Sequence, residues 1–219
     1  MIRLLVADDH RIMRQGLRQL LAEQNDFMVA AEAANGFEVL ERIREIELDL
    51  VVLDLVMPGR HGIDLIKQIK TEKPALPVLV LSMHTEEQYA LRALKAGALG
   101  YLSKETAADE LVAAIRKLVA GESYISARIA QSLALHLAQP EQRPAHSQLS
   151  DREFHVLVMI ARGSSLSEIA AELHLSAKTV STYKARVLEK LKLGSTADLV
   201  RYAIDHDLME DRRRDADAV

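Results

Sequence analysis

Two kinds of segment alternate along residues 1–122. Short apolar runs stand at 2–7, 28–31, 50–53, 78–81 and 98–102. Between them, apolar residues recur at helical spacing: Ile12, Leu17, Leu20 and Leu21, then Val39, Leu40 and Ile43, then Leu111, Ile115 and Leu118. Apolar strands alternating with amphipathic helices predict βαβ units and a parallel sheet covered on both faces. Five such units make an α/β domain with a doubly wound, five-stranded parallel sheet. Thr85 with Gln88 has capping-box spacing, and Pro58-Gly59 and Lys73-Pro74 read as turn or stop signals.

The pattern changes at Gly121. Residues 123–148 read as a linker, with a short helix expected at 125–137 and then a polar stretch holding Pro140 and Pro144. From Leu149 every segment is helical. Ser150 with Glu153 forms a capping box opening a helix over 154–162, which Gly163 ends. Ser165 with Glu168 forms another, opening 166–173. Ser176 is the N-cap candidate for 177–191, and Ser195 for 196–206. Four short helices joined by tight turns suit an all-α helix-turn-helix domain over 149–208. The charged, aperiodic tail 209–219 is expected to be disordered.

Composition narrows the picture. The 219 residues are 49% hydrophobic and 27% charged, which suits a folded chain. No apolar run approaches the roughly 18–20 residues that span a bilayer. The start has no basic segment before its apolar run, so no signal peptide and no membrane partner are expected. The absence of cysteine removes disulfides and thiolate chemistry and fits a cytoplasmic location. A formal net charge of -4 argues, for the chain as a whole, against a nucleic-acid partner.

The chemistry gathers where the apolar runs end. The first run leads into Asp8-Asp9, the third into Asp54, the fourth into Ser82, and the fifth into Tyr101-Leu102-Ser103-Lys104. In a parallel sheet all these carboxyl ends share one edge, where ligand sites form. Taken singly, an aspartate there reads as a helix N-cap, Ser82 as a turn residue, Lys104 as a solvated side chain and Tyr101 as a half-buried packing residue. Together they converge three carboxylates, a hydroxyl and an ammonium on one crevice. Three like charges are costly unless a cation neutralises them, and that oxygen donor set suits Mg²⁺. A carboxylate so placed is a nucleophile for a phosphoryl group, with Lys104 and Ser82 available to the transferred oxygens. His10 reads as a first-turn surface residue and His84 as a loop residue.

Asp8-Asp9, Asp54 with Leu55-Val56-Met57-Pro58-Gly59 and Gly62, Ser82, Tyr101 and Lys104 resemble the receiver domain of two-component response regulators, which has a flavodoxin-like fold. The resemblance covers residues 1–122. It implies phosphorylation of Asp54 by a sensor histidine kinase. It also implies Mg²⁺ held by Asp9, Asp54 and the backbone carbonyl of Val56, with Asp8 adjacent through water. Ser82 and Tyr101 would be the residues that change position on phosphorylation. Many receivers carry proline after the lysine. Glu105 stands there in this chain, and a non-proline cis bond costs about 3–4 kcal/mol, so a cis peptide is not assumed.

Charge counted by region changes the meaning of the -4. Residues 1–122 hold 15 Lys and Arg against 19 Asp and Glu, whereas residues 148–208 hold 8 of each. Within residues 174–192, five basic residues face Glu189 alone. A neutral domain with one basic helix is the footprint of groove binding. Val180, Tyr183, Val187, Leu188 and Leu191 lie on its packing face. Lys178, Ser181, Thr182 and Ala185 lie opposite, suited to base edges, with Thr179 beside them. Arg186, Lys190 and Lys192 suit phosphates, and Lys184 must snorkel to reach them. A solvated basic face is the plainer alternative, as it is for Arg212–Arg214 in the tail.

Residues 149–153, Ile169-Ala170, Glu172-Leu173, the run 176–183 and Leu188-Glu189-Lys190-Leu191 resemble the LuxR-type helix-turn-helix. With the receiver in front, the whole chain resembles the NarL/FixJ family of transcriptional regulators, closest to the UvrY/GacA-like branch of global regulators. That resemblance implies binding to double-stranded promoter DNA as a homodimer when phosphorylated, with RNA polymerase a further candidate partner. Two other readings stay open from the residues alone. One is an aspartyl-phosphate hydrolase, although Val56 stands where such enzymes carry a second aspartate. The other is a DNA binder whose receiver only dimerises.

Overall fold

The computed structural model describes residues 1–57, 62–82, 87–104, 107–126, 129–131, 134, 144–173, 175–206 and 208. The turn Pro58-Gly59, Thr85 of the expected capping box, His84, the Lys104–Glu105 peptide, the stretch 138–143 and the tail with Arg212–Arg214 lie outside the described residues. The chain divides into two compact units, Met1–Gln139 and Pro140–Val219.

In the first unit strands and helices alternate: β1 Ile2–Ala7, α1 Arg11–Ala22, β2 Phe27–Ala33, α2 Gly36–Glu45, β3 Leu50–Leu53, α3 Gly62–Glu72, β4 Val78–Ser82, α4 Glu87–Lys95, β5 Gly100–Ser103, α5 Ala107–Val119 and β6 Tyr124–Ile125. All neighbouring strands are parallel, in the order β2-β1-β3-β4-β5-β6. The sheet therefore has six strands where the apolar runs predict five. The extra strand is two residues long and comes from the expected linker, where Tyr124 pairs with Gly100 and Ile125 with Tyr101. A side chain at Gly100 would meet Leu79 at 2.9 Å and the Tyr124 carbonyl at 3.0 Å, so glycine lets this edge close up. Of the helix expected at 125–137, residues 129–131 and 134 are helical.

Burial explains why these segments are strands. Every residue of β3 and β4 is buried, as a strand covered on both faces requires. Alternate residues serve the two faces. Leu4, Val6, Leu50, Val52, Leu79 and Leu81 cluster with Leu17 and Leu21 of α1 and Leu111, Ala114, Ile115 and Leu118 of α5. Residues of the other parity, Leu5, Val51, Leu53 and Val80, are also buried, as are Val39, Leu40 and Ile43 of α2 and Ile63, Ile66 and Ile69 of α3. The chain runs from β1 outward to β2, then returns past β1 to β3. That reversal sets a crevice beyond the carboxyl ends of β1 and β3. Ala7 pairs with Leu53 at those ends, so Asp8 and Asp54 leave the sheet side by side.

The second unit is helical: a 3₁₀ turn at Ala145–Gln148, then α6 Asp151–Ala161, α7 Leu166–Glu172, α8 Ala177–Leu191 and α9 Thr196–Asp205. The capping boxes at Ser150/Glu153 and Ser165/Glu168 both form, and Ser176 and Ser195 cap α8 and α9 through the N–H groups of Thr179 and Asp198. Gly163 ends α6 with φ of +88°. Its N–H donates to Ile160 while Ser164 donates to Met159, a Schellman closure. The 3₁₀ turn joins this unit: His146 is buried, and its N–H donates to the Tyr202 hydroxyl of α9 at 3.1 Å.

Candidate functional site

The acidic crevice is built by the first residues after three strands. Asp8 is 1% exposed and Asp54 3% exposed. Neither caps a helix: His10 is the N-cap residue of α1 and makes no side-chain cap bond, and α3 begins only at Gly62. Asp8 instead closes a turn, its Oδ1 accepting the His10 N–H at 2.8 Å, while Arg14 Nη1 donates to its backbone carbonyl at 2.6 Å. Asp54 Oδ1 accepts the Val56 N–H at 3.1 Å. Lys104, just beyond β5, reaches across to both: its Nζ lies 2.7 Å from Asp8 Oδ2 and 2.7 Å from Asp54 Oδ2.

One ammonium thus faces two buried carboxylates, with Asp9 half-exposed beside them. Burial pushes the Asp54 carboxyl up to about 6, against the charge and hydrogen bond of Lys104 and the Val56 N–H, with the Asp8 charge adding to the rise. Burial alone would lower Lys104, but Asp54 and Asp8 more than reverse that and hold its ammonium above the ordinary value. The crevice keeps an excess of negative charge.

Ligand atoms of Asp8, Asp9, His10 and Asp54 lie within 4.8 Å of one another. The carboxylates are hard donors of the kind Mg²⁺ takes. The His10 imidazole is a softer donor, 72% exposed, and sits 2.8 Å from Asp9 Oδ1. It belongs to the rim, in keeping with a surface residue. Ser82 is buried at the end of β4, and the Lys104 N–H donates to its carbonyl at 2.8 Å, which ties the lysine to the strand carrying the hydroxyl. Tyr101 is fully buried within β5 opposite Val80, deeper than the half-buried position expected of it.

On the second unit the basic helix is α8. Val180, Val187 and Leu191 are buried, with Tyr183 and Leu188 partly so, which is the packing face expected. Lys178, Ser181, Thr182, Ala185 and Arg186 are exposed, and Lys184 is half-buried. Two candidates are otherwise engaged. The Thr179 hydroxyl lies 2.8 Å from Ser176 Oγ in the helix cap. The Lys190 ammonium, assigned to DNA phosphate by its place in the basic run, lies 2.6 Å from Glu153 Oε2 of α6. A carboxylate that is 3% exposed needs a cation, and Lys190 supplies it.

Glu153 is the residue that sequence reasoning missed, since it registered only as a capping-box member. Its spacing from Ser150 was the available signal, and that spacing gives no hint of a partner 37 positions away. Arg14 was missed too. It binds the Asp8 carbonyl and, through Nε, Glu32 of β2 at 3.4 Å, and so holds the β1–α1 turn.

Comparison with known proteins agrees with both halves of this geometry. Residues 4–116 match the response regulator receiver domain family, and residues 147–203 match the bacterial regulatory proteins of the luxR family. The chain is 37% identical over 211 residues to response regulator GacA of Pseudomonas aeruginosa, covering 96% of this chain and 99% of that one. It is 36% identical over 209 residues to response regulator UvrY of Escherichia coli, covering 95% and 96%. Among solved structures, RcsB of Salmonella enterica serovar Typhimurium, bound to promoter rprA in the presence of the phosphomimetic BeF3-, superposes with a TM-score of 0.69 at 26% identity, covering 92% of this chain and 97% of that one. Among the described residues no helix is long and apolar enough to cross a membrane. The chain belongs to the NarL/FixJ family of two-component response regulators, a transcriptional regulator with a receiver domain and a LuxR-type DNA-binding domain.

Proposed function

We propose that Asp54 is the phosphoacceptor, that a sensor histidine kinase supplies the phosphoryl group, and that the modified chain pairs as a homodimer on double-stranded promoter DNA. The observation that carries this reading is Lys104 Nζ at 2.7 Å from both Asp8 and Asp54 in one buried crevice. Residues 1–122 would act as the phosphoacceptor domain, 123–148 as the connection and 149–208 as the DNA-binding domain. On this reading the chain works in the cytoplasm, with RNA polymerase a further partner.

The chain's own residues would act as follows. An ionised Asp54 oxygen attacks the phosphorus of a phosphohistidine. The P–N bond breaks, a P–O bond forms, and the departing imidazole nitrogen takes a proton from water. Lys104 follows the negative charge from the carboxylate to the new phosphoryl oxygens, and the Ser82 hydroxyl donates to another. Asp9, Asp54 and the Val56 carbonyl would hold Mg²⁺, with Asp8 alongside. When bound, Mg²⁺ supplies neutralising charge to the carboxylates and the transferred group. Tyr101 and Ser82 would shift position and carry the change to the face of α4, β5 and α5. No turnover of free phosphomonoesters is expected, since Val56 offers no second carboxylate.

On the DNA side Lys178, Ser181, Thr182 and Ala185 face the groove, and Lys184 and Arg186 the phosphates. RcsB, one of the similar structures, is bound to DNA as dimers, which supports pairing of this chain on its site. The test is incubation with acetyl phosphate and Mg²⁺, followed by intact-mass measurement. The wild type gains one acid-labile phosphoryl group and Asp54→Ala gains none. Full incorporation into Asp54→Ala would overturn the assignment.

A further inference from the structure

The exposed strip of α8 presents its hydroxyl groups unequally. The Thr182 hydroxyl donates to the Lys178 carbonyl one turn back, at 3.0 Å. A threonine hydroxyl has one proton, and this bond spends it inside the helix. Outward, Thr182 therefore offers its methyl group and oxygen lone pairs, with no donor. Ala185, three residues on and also exposed, adds a second methyl on the same side of the helix. In a strip flanked by Lys178 and Arg186, these two methyls form an apolar patch at the middle of the helix.

The major groove carries a single apolar recognition feature, the C5-methyl group of thymine. We propose that Thr182, supported by Ala185, is a specificity-determining residue that reads a thymine methyl through its own methyl group rather than a base edge through its hydroxyl. This inference rests on α8 being the groove-reading helix and adds the base it selects. Ser181, whose hydroxyl makes no hydrogen bond among the described residues, keeps the hydrogen-bonding role on the strip. A hydroxyl that donated to a base would have to break its bond to the Lys178 carbonyl and turn outward.

The test uses the full chain, treated with acetyl phosphate, and duplexes it selects from a random-sequence DNA library. Thr182→Val keeps the methyl and the β-branched shape, whereas Thr182→Ser keeps the hydroxyl alone. Thr182→Val should bind the selected duplex within about two-fold of wild type, and Thr182→Ser should lose about four-fold, the worth of one buried methyl. Replacing the thymines one at a time by deoxyuridine should find a position that costs wild type and Thr182→Val about four-fold and Thr182→Ser almost nothing. Equal or greater loss in Thr182→Val than in Thr182→Ser would overturn the inference, as would a deoxyuridine scan that leaves both variants alike. Failure of the wild type to select any sequence would instead remove the groove-reading role of α8, and this inference with it.

Discussion

Glu153 offers a sharp test of how the DNA-binding unit is held together. Its Oε2 accepts the Ser150 N–H at 2.8 Å and the Lys190 ammonium at 2.6 Å. One oxygen thus fastens the start of α6 to the end of α8, the helix that carries the DNA contacts. A hydrogen bond to a charged group is worth about 1.5–3 kcal/mol, and solvent screening reduces it here because the Lys190 side chain is 39% exposed. Glu153→Gln keeps a capping oxygen and loses the charge, so it should cost about 1 kcal/mol. Glu153→Ala also loses the cap and should cost about 2 kcal/mol. Lys190→Met should cost at least as much as Glu153→Gln, since it strands a buried carboxylate.

The pH dependence follows from the same contacts. Burial acts to raise Glu153, but the Lys190 and Ser150 hydrogen bonds outweigh it and hold the carboxyl below its usual 4.5. Its contribution is therefore complete above pH 4.5 and is lost as pH falls through the lowered value. Hydrogen exchange read peptide by peptide on the full chain separates α6 and α8 from the receiver, which serves as an internal control. Comparing variants at one pH cancels the intrinsic exchange rate. Glu153→Gln should exchange about five-fold faster than wild type in α6 and α8 at pH 7, with the gap narrowing only as pH falls below 4.5. An unchanged rate at pH 7, or a gap that persists in acid, would refute the reasoning.

Other expectations concern the receiver and the caps. Burial first, offset in part by Lys104, lifts Asp54 from 3.8 to about 6, so the metal-free receiver loses stability as pH rises through 6. With a chelator present, Asp54→Asn should therefore melt a few degrees above wild type at pH 8 and show no gain at pH 4 by calorimetry. Gly62 and Gly16 should respond in opposite directions. A Cβ at Gly62 would sit 2.5 Å from the Leu55 carbonyl oxygen and 2.6 Å from its Cα, so Gly62→Ala should cost about 3 kcal/mol in urea unfolding. A Cβ at Gly16, exposed in mid-α1, would meet nothing within 4 Å, so Gly16→Ala should add about 0.5–1 kcal/mol. Ser176→Ala removes the bond from the Thr179 N–H that caps α8 and should cost about 1 kcal/mol, seen as faster exchange in its first turn.

Period and punctuation along the chain determined a great deal. Runs buried on both faces marked β1, β3 and β4, and serine–glutamate pairs three apart marked where α6 and α7 begin, because both signals are local. Strand order then brought Asp8, Asp9, Asp54 and Lys104 within reach of one crevice, since carboxyl ends of parallel strands share an edge. The sided pattern of α8 separated Val180 and Val187 from Lys178 and Thr182 for the same reason. Pairing across long separations was a different matter. Tyr124 and Ile125 carry too short a signal to read as a strand, and only the open edge of β5 recruits them. Lys190 looked like its neighbours in a basic run. Its partner was decided by the burial of Glu153, because a carboxylate removed from water captures the nearest ammonium wherever the chain supplies it.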